Sequence, residues 1–352
     1  MSEYSTTIGI DLGDKYSSIC VVDAEGEVLE ESRLRTTDKA LTERFEAMRP
    51  ALVVLETGTH SRWVSHLLGK LGHEVVVGNA RRLRMIYCNE NKTDRLDAQS
   101  LARVARMDRK LLYEIQHRSH RAHLDLEQIK ARDLLVNERK RIVVHIRSVV
   151  KTFGLCLPKC DTGYFCKKTQ PLLPAELQEV LEPLYDVLEV LHEKIAVYDA
   201  KIKALAQQAY SECDLLREIG GVGPITALAF ILTIEDPARF DTSRQVGSYF
   251  GLRPKLDKSG QRDPQLPITK CGNTMVRRLL VQAAHYILGH FGPDCDLRRF
   301  GLCIAERGGK RAKKRAVVAV ARKLSVLMHR LWKNGEIYDP FFVAKMRGDS
   351  IG

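Results

Sequence analysis

Thr6-Thr7-Ile8-Gly9-Ile10-Asp11 decides how the first third of the chain folds. The β-branched and apolar residues read as a strand that ends on a carboxylate, and Leu12-Gly13-Asp14-Lys15 after it reads as a tight turn. Ser17-Ser18-Ile19-Cys20-Val21-Val22 and Glu27-Val28-Leu29-Glu30 continue as strands around Ala24-Glu25-Gly26, which predicts a three-stranded meander. Further out, a helix from about Asp38 to Met48 leads to Pro50. The apolar run Ala51 to Leu55 is then a buried strand that delivers Glu56 at its end. Ser61 to Leu71 repeats at helical spacing, Glu74-Val75-Val76-Val77 is a short strand, and Lys92-Thr93-Asp94-Arg95-Leu96-Asp97-Ala98 opens a run with no helix breaker through Arg106.

Three strands, helix, strand, helix, strand, helix is the element order of an RNase H-like α/β domain. Functional sites in α/β sheets gather at strand ends, so Asp11 and Glu56 are expected to meet Asp94 and Asp97. These last two lie three apart, on one face of a helix. Hard oxygen donors of this kind suit Mg²⁺, and two metals about 4 Å apart clamp the attacking and leaving oxygens of a phosphodiester. The plainer alternative is that Asp94 and Asp97 only complement the positive end of a helix dipole. Ile8-Gly9-Ile10-Asp11-Leu12-Gly13 also resembles the first phosphate loop of actin-like sugar kinases, but the further glycine-rich motifs that reading needs do not follow.

The chain has 352 residues, 44% of them apolar, and a net charge of +12. That length predicts two to three domains. No stretch of about 18 apolar residues and no leader pattern occurs, so a cytoplasmic, nucleoid-associated protein with no membrane partner is expected. Nine cysteines without close pairs argue against a disulfide framework, and Cys156, Cys160 and Cys166 do not have zinc spacing. The basic excess is clustered. Arg307 to Lys323 carries Lys310, Arg311, Lys313, Lys314 and Arg315 without an acid, and Arg103 to Lys151 is rich in basic residues. A polyanion is the expected partner, since neutralising phosphates releases counterions.

Tyr113 to Lys151 is expected to form a long basic helix. Beyond the break at Pro171 to Pro174, Leu177, Leu181, Leu184, Leu188, Leu191 and Ile195 begin a heptad seam that continues through Tyr198, Ile202, Leu205 and Ala209, with Pro183 a kink near its start. Its partner is the basic helix of the same chain, a second copy, or both, and a mixture, an antiparallel helical arm that also dimerises, is the expected arrangement. The helix pair joined by Ile219-Gly220-Gly221-Val222-Gly223-Pro224 reads as a helix-hairpin-helix-like element in which Gly221 and Gly223 let backbone N–H groups grip a phosphate. Glycines for close packing of a plain helical hairpin are the alternative. Farther on, Ser259-Gly260 lies in a polar loop flanked by Lys258, Arg262 and Lys270. Thr269-Lys270-Cys271-Gly272-Asn273 caps a helix, Thr274 to Leu288, that bears Arg277 and Arg278.

Taken together, Ile-Gly-Ile-Asp11, Val-Leu-Glu56-Thr-Gly, Asp94-Arg95-Leu96-Asp97, Ile219 to Pro224, Gly251-Leu252-Arg253-Pro254, Ser259-Gly260 and Ile268 to Asn273 resemble the transposases of the insertion-sequence-110 family, also called DEDD serine or bridge recombinases. The resemblance covers nearly the whole chain. It implies an α/β plus α architecture: a RuvC-like DEDD domain (1–112) whose Asp11, Glu56, Asp94 and Asp97 bind Mg²⁺, a helical coiled-coil linker (113–212), and a mostly helical transposase domain (213–352) with Ser259 as catalytic nucleophile. It further implies a phosphoserine link to DNA, a non-coding bridge RNA that selects donor and target DNA, and dimers that pair into tetramers. Where many relatives have Ser-Ser-Gly-Gly, this chain has Lys258-Ser259-Gly260-Gln261, with Pro267 shortly before the Ile-Thr-Lys. Two other readings of the same residues are a metal-dependent nuclease of the Holliday-junction kind, with water attacking, and a nucleic-acid-binding protein without catalysis.

Overall fold

The structure is a computed structural model that describes residues 4–83, 93–260, 264, 266–309 and 311–347. Lys92, Arg262 and Lys310, all singled out above, lie outside the described residues. The chain divides into two compact units, Met1–His117 and Arg118–Gly352.

The first unit is a five-stranded mixed sheet with helices on both faces. Strands β1 (Thr7–Asp11), β2 (Tyr16–Val22) and β3 (Val28–Arg35) form the expected meander, and β4 (Leu52–Glu56) and β5 (Glu74–Gly78) extend it in parallel from β1, giving the order β3-β2-β1-β4-β5. Period-two alternation sorts the side chains. Ile8, Ile10, Val53 and Leu55 face α1 (Asp38–Glu46) and α2 (Ser61–Lys70), where Leu41, Phe45, Val64 and Leu68 close one core. On the opposite face, Leu52, Val54 and Val76 meet Leu101 and Ala105 of α3 (Asp94–Met107), and Cys20 and Val22 meet its Ala98 and Ala102.

Gly9 explains how closely α3 approaches. A Cβ at that position would lie 2.0 Å from the Ala98 carbonyl oxygen and 2.7 Å from the Ala102 nitrogen, so only a hydrogen there lets the helix backbone rest on β1. Gly9→Ala is therefore expected to destabilise the unit by on the order of 3 kcal/mol through overpacking. Thermal unfolding of the variant checks this, and an unchanged melting temperature would contradict it.

The second unit is helical. Helices α4 (His120–Thr152) and α6 (Ala175–Gln208) run antiparallel, joined by a segment containing the short α5 (Phe165–Thr169). Near that connection, Leu177, Leu181 and Leu188 pack on Val150, Ile146 and Val143. At the other end Ile202 and Ala206 meet Ile129, Leu126 and Ala122, and Arg132 Nε bonds Asp199 at 2.7 Å. The heptad seam thus finds a partner within its own chain. The basic helix begins at His120, later than the Tyr113 expected. Tyr113 takes a left-handed conformation and the Ile115 N–H donates to the Val77 carbonyl, so this stretch runs beside β5 before Ser119 caps the helix.

Around the lower end of this pair gather α7 (Glu212–Arg217), α8 (Pro224–Ile234), α9 (Arg244–Tyr249), α10 (Thr274–Leu288), α11 (Asp296–Glu306), α12 (Ala312–Asn334) and α13 (Phe342–Arg347). Helix α8, buried from Thr226 through Ile234, is the centre of their core. Among the described residues no helix is long and apolar enough to cross a membrane.

Candidate active-site residues

Asp11 and Glu56 end neighbouring parallel strands, one residue beyond the Ile10–Leu55 pair, so the sheet sets them side by side. Alternation fixes their direction. Asp11 follows Gly9 by two and Glu56 follows Val54 by two, so both point to the α3 side. Helix α3 runs antiparallel to β1. Its C-terminal Arg106 donates to the Tyr4 carbonyl at 3.0 Å, before β1 begins, so its N-terminal turn lies toward the end of β1 that bears Asp11. That turn carries Asp94, exposed, and Asp97, 7% exposed, under the cap of Thr93, whose hydroxyl accepts from the Leu96 N–H. The positive end of the α3 dipole thus faces the end of the sheet that bears the carboxylates.

Strand pairing therefore sets Asp11 and Glu56 side by side, and the Asp94/Asp97 turn of α3 lies toward that end of the sheet. Among the described residues, no group of three or more His, Cys, Asp or Glu is arranged so that it could hold a metal ion. As a donor set, carboxylates gathered at one sheet edge, one of them largely withdrawn from water, match a hard divalent cation in kind. Cys156 is exposed, Cys160 half-buried and Cys166 buried, all as free thiols.

In the second unit, Ser259 is exposed on a two-stranded ribbon. The Lys255 N–H donates to Pro267 O and the Thr269 N–H to Arg253 O, both at 2.9 Å, and Pro254 pairs with Ile268. Gly260, after Ser259, has φ +55. Lys258 next to the serine and Lys270 at the base of the ribbon are both exposed. The base of the ribbon is clasped by Gly251, Gly272 and Arg277, whose roles there the sequence did not disclose, and by the expected helix cap at Asn273. A Cβ on Gly272, at φ +73, would lie 1.9 Å from the Tyr249 carbonyl oxygen, and Gly251 approaches the Cys271 backbone as closely. Arg277 binds the Phe250 and Cys271 carbonyls at 3.1 and 2.7 Å. Asn273 caps α10 and donates to the Thr233 hydroxyl.

Gly272→Ala combines a left-handed backbone with a main-chain collision and is expected to cost on the order of 3 kcal/mol. Limited proteolysis checks it. The ribbon between Arg253 and Lys270 should become cleavable in the variant, and wild-type resistance would contradict this account.

Several expected nucleic-acid contacts have work inside the domain. Arg278 pairs with Asp133 of α4, and Arg277 is held as described. Gly221, at φ +87, approaches Tyr286 and Ala283 of α10, whereas Gly223 is exposed at the start of α8 with open space beside it. Arg311, Lys313, Lys314 and Arg315 are exposed at the head of α12.

Comparison with known proteins places the same segments in one family. A profile described as a transposase, that of the DEDD transposases of IS110 elements, matches residues 8–154, and one described as the transposase IS116/IS110/IS902 family matches residues 213–297. The chain is 28% identical to the transposase for insertion sequence element IS1111A of Coxiella burnetii, over 94% of this chain and 90% of that protein. It is 27% identical to the transposase for IS1328 of Yersinia enterocolitica, over 79% and 83%. A probable family 20 transposase of Pseudomonas aeruginosa is 25% identical over 83% and 86%.

Proposed function

The chain belongs to the IS110 family of transposases, and on that premise we propose that it cuts and rejoins DNA at the ends of an insertion sequence, with Ser259 as the nucleophile and Asp11, Glu56, Asp94 and Asp97 as the holders of Mg²⁺. The observation that carries this reading is the arrival of Asp11 and Glu56, from adjacent parallel strands, on the face where Gly9 lets the Asp94/Asp97 turn come close. The strand order β3-β2-β1-β4-β5, with its first three strands antiparallel and the rest parallel, is the order of an RNase H-like fold and supports the same assignment.

When bound, Mg²⁺ supplies positive charge to the scissile phosphate and the departing oxygen. The protein's own residues do the rest. The Ser259 hydroxyl attacks phosphorus, its proton leaves to solvent, and the Oγ–P bond forms as the bond from phosphorus to the deoxyribose oxygen breaks. That oxygen takes up a proton and departs as a free hydroxyl. The reverse attack, by the hydroxyl of another strand on the phosphoserine, restores a phosphodiester and frees Ser259. No water enters the chemistry, so the energy of the phosphodiester is conserved and rejoining needs no nucleotide cofactor.

Lys258 next to the serine, Lys270 at the base of its ribbon, and Lys313 on α12 are on exposed surface where phosphates would be neutralised. The exposed N-terminus of α8 at Gly223 offers N–H groups to a further phosphate. Site choice belongs to a structured RNA that pairs with donor and target DNA, and the working form is a dimer that pairs into a tetramer.

The test is to purify the protein with transcripts of its own element, sequence the retained RNA, and add donor and target DNA with Mg²⁺. One discrete structured RNA should be recovered, and recombination should require it. Strand joining that proceeds equally after ribonuclease treatment would overturn the RNA-guided part, and hydrolysis without any joining would favour a nuclease in which water attacks.

A further inference from the structure

The outer side of α6 bears a second apolar row. Val180, Val187, Val190 and Val197 are 69, 46, 54 and 48% exposed and recur at spacings of seven, three and seven, the repeat of a helix–helix seam, on the side away from the residues that pack on α4. Flanking them are Glu176, Glu179, Glu182, Asp186, Glu189 and Glu193, none in an ion pair among the described residues, and the single Lys or Arg from Ala175 to Val197 is Lys194. Two copies of this face would oppose like charges, and nucleic acid would be repelled by it.

Its complement is in the same unit. Helices α11 and α12 and the segment 338–344 enclose a groove of about 1550 Å³ that reaches Pro254 and Ile268 at the ribbon's base. The floor is aliphatic, with Leu252, Ile304, Val318, Val326 and Leu327. Around it Arg244, Arg307, Arg311, Lys314 and Arg322 form no ion pair among the described residues. Two aromatic rings that would stack a nucleic-acid base are already covered, Phe300 by the Lys323 ammonium at 3.8 Å and Phe342 by the Arg330 guanidinium at 4.6 Å. Cations over aliphatic side chains therefore fit an acidic amphipathic helix better than a single strand. The dimensions agree as well: the α12 residues along the groove, Lys314 to Arg330, span about 24 Å, and the valine row spans about 26 Å at the rise of an α-helix.

We propose that the acidic valine face of α6 in one copy docks in the basic groove beside α12 of a second copy. The valines cover the aliphatic floor, and the carboxylates of α6 meet the unpaired cations. The contact would couple the arm of one copy to the base of the serine ribbon in the other. It gives Arg311 and Lys314 an assembly role in place of the nucleic-acid role their clustering suggests, and it does not depend on which group attacks the DNA.

The experiment is sedimentation velocity of the full-length protein freed of nucleic acid, with charge reversals confined to exposed positions. Asp186→Arg with Glu193→Arg, and separately Arg311→Glu with Lys314→Glu, should each weaken self-association at least about tenfold, and all four changes in one chain should restore it to within about threefold. A photo-cross-linker at Val187 should mark groove peptides of a differently tagged copy. A monomeric wild type, reversals without effect, or a quadruple variant no better than either pair would overturn the proposal. So would a groove reversal that lowers DNA affinity while self-association persists, since the groove would then be a nucleic-acid surface.

Discussion

Asp97→Asn is expected to lower DNA cleavage and joining by roughly three orders of magnitude or more, as loss of a group that holds catalytic charge in place does. The substitution keeps the shape of the side chain while removing its charge. Asp97 lies in the first turn of α3 at 7% exposure, where Gly9 and Ala98 bring helix and strand together. If Asp97 shares a cation with Asp11 and Glu56, the amide variant should fold normally and melt at or above the wild-type temperature in the absence of metal. It should also lose the rise in melting temperature that added Mg²⁺ gives the wild type. A variant that unfolds would instead assign Asp97 a purely structural role at the helix terminus.

Ser259→Ala should have the second large effect, a loss of joining of roughly four orders of magnitude or more, in line with removal of a covalent nucleophile. Stability should hardly move, by about 0.5 kcal/mol at most, because Ser259 is exposed and its ribbon is held from the base by Gly272, Arg277 and the Lys255–Pro267 and Arg253–Thr269 pairings. DNA binding should likewise persist. The combination separates chemistry from folding, whereas Gly272→Ala loses activity by unfastening the whole ribbon.

How far the sequence disclosed these features depended on whether the signal was local. The meander, β4, β5 and α3 were legible because strand and helix periods and caps such as Thr93 are written into neighbouring residues. That Asp11 and Glu56 end neighbouring strands was legible as well, since strand ends in an α/β sheet share an edge. The role of Gly9 was missed, although a glycine inside an otherwise β-branched strand is the signal of a close backbone approach.

Partners distant in sequence could not be read. Arg277 and Arg278 looked like phosphate contacts until the structure turned one to main-chain carbonyls and the other to Asp133. Gly221 is packed against Tyr286, some distance along the chain, so a turn expected to grip phosphate is at that residue a packing joint. The start of α4 moved from Tyr113 to His120 because a tertiary hydrogen bond, Ile115 to Val77, outweighed helix propensity. The heptad seam gave no choice between partners of its own and another chain, and only the antiparallel packing of Ile129 and Ile202 identified α4.

The central claim is that Ser259 attacks DNA while Asp97 and its neighbouring carboxylates hold the charge that attack requires. Its most direct measurement is a denaturing gel of labelled donor DNA incubated with the protein, its RNA and Mg²⁺. A protease-sensitive protein–DNA adduct should form with the wild type, map to Ser259 by mass spectrometry, and be missing from Ser259→Ala, Asp97→Asn and chelator-treated samples. Recombinant product formed without any adduct, or an adduct retained in Ser259→Ala, would contradict it.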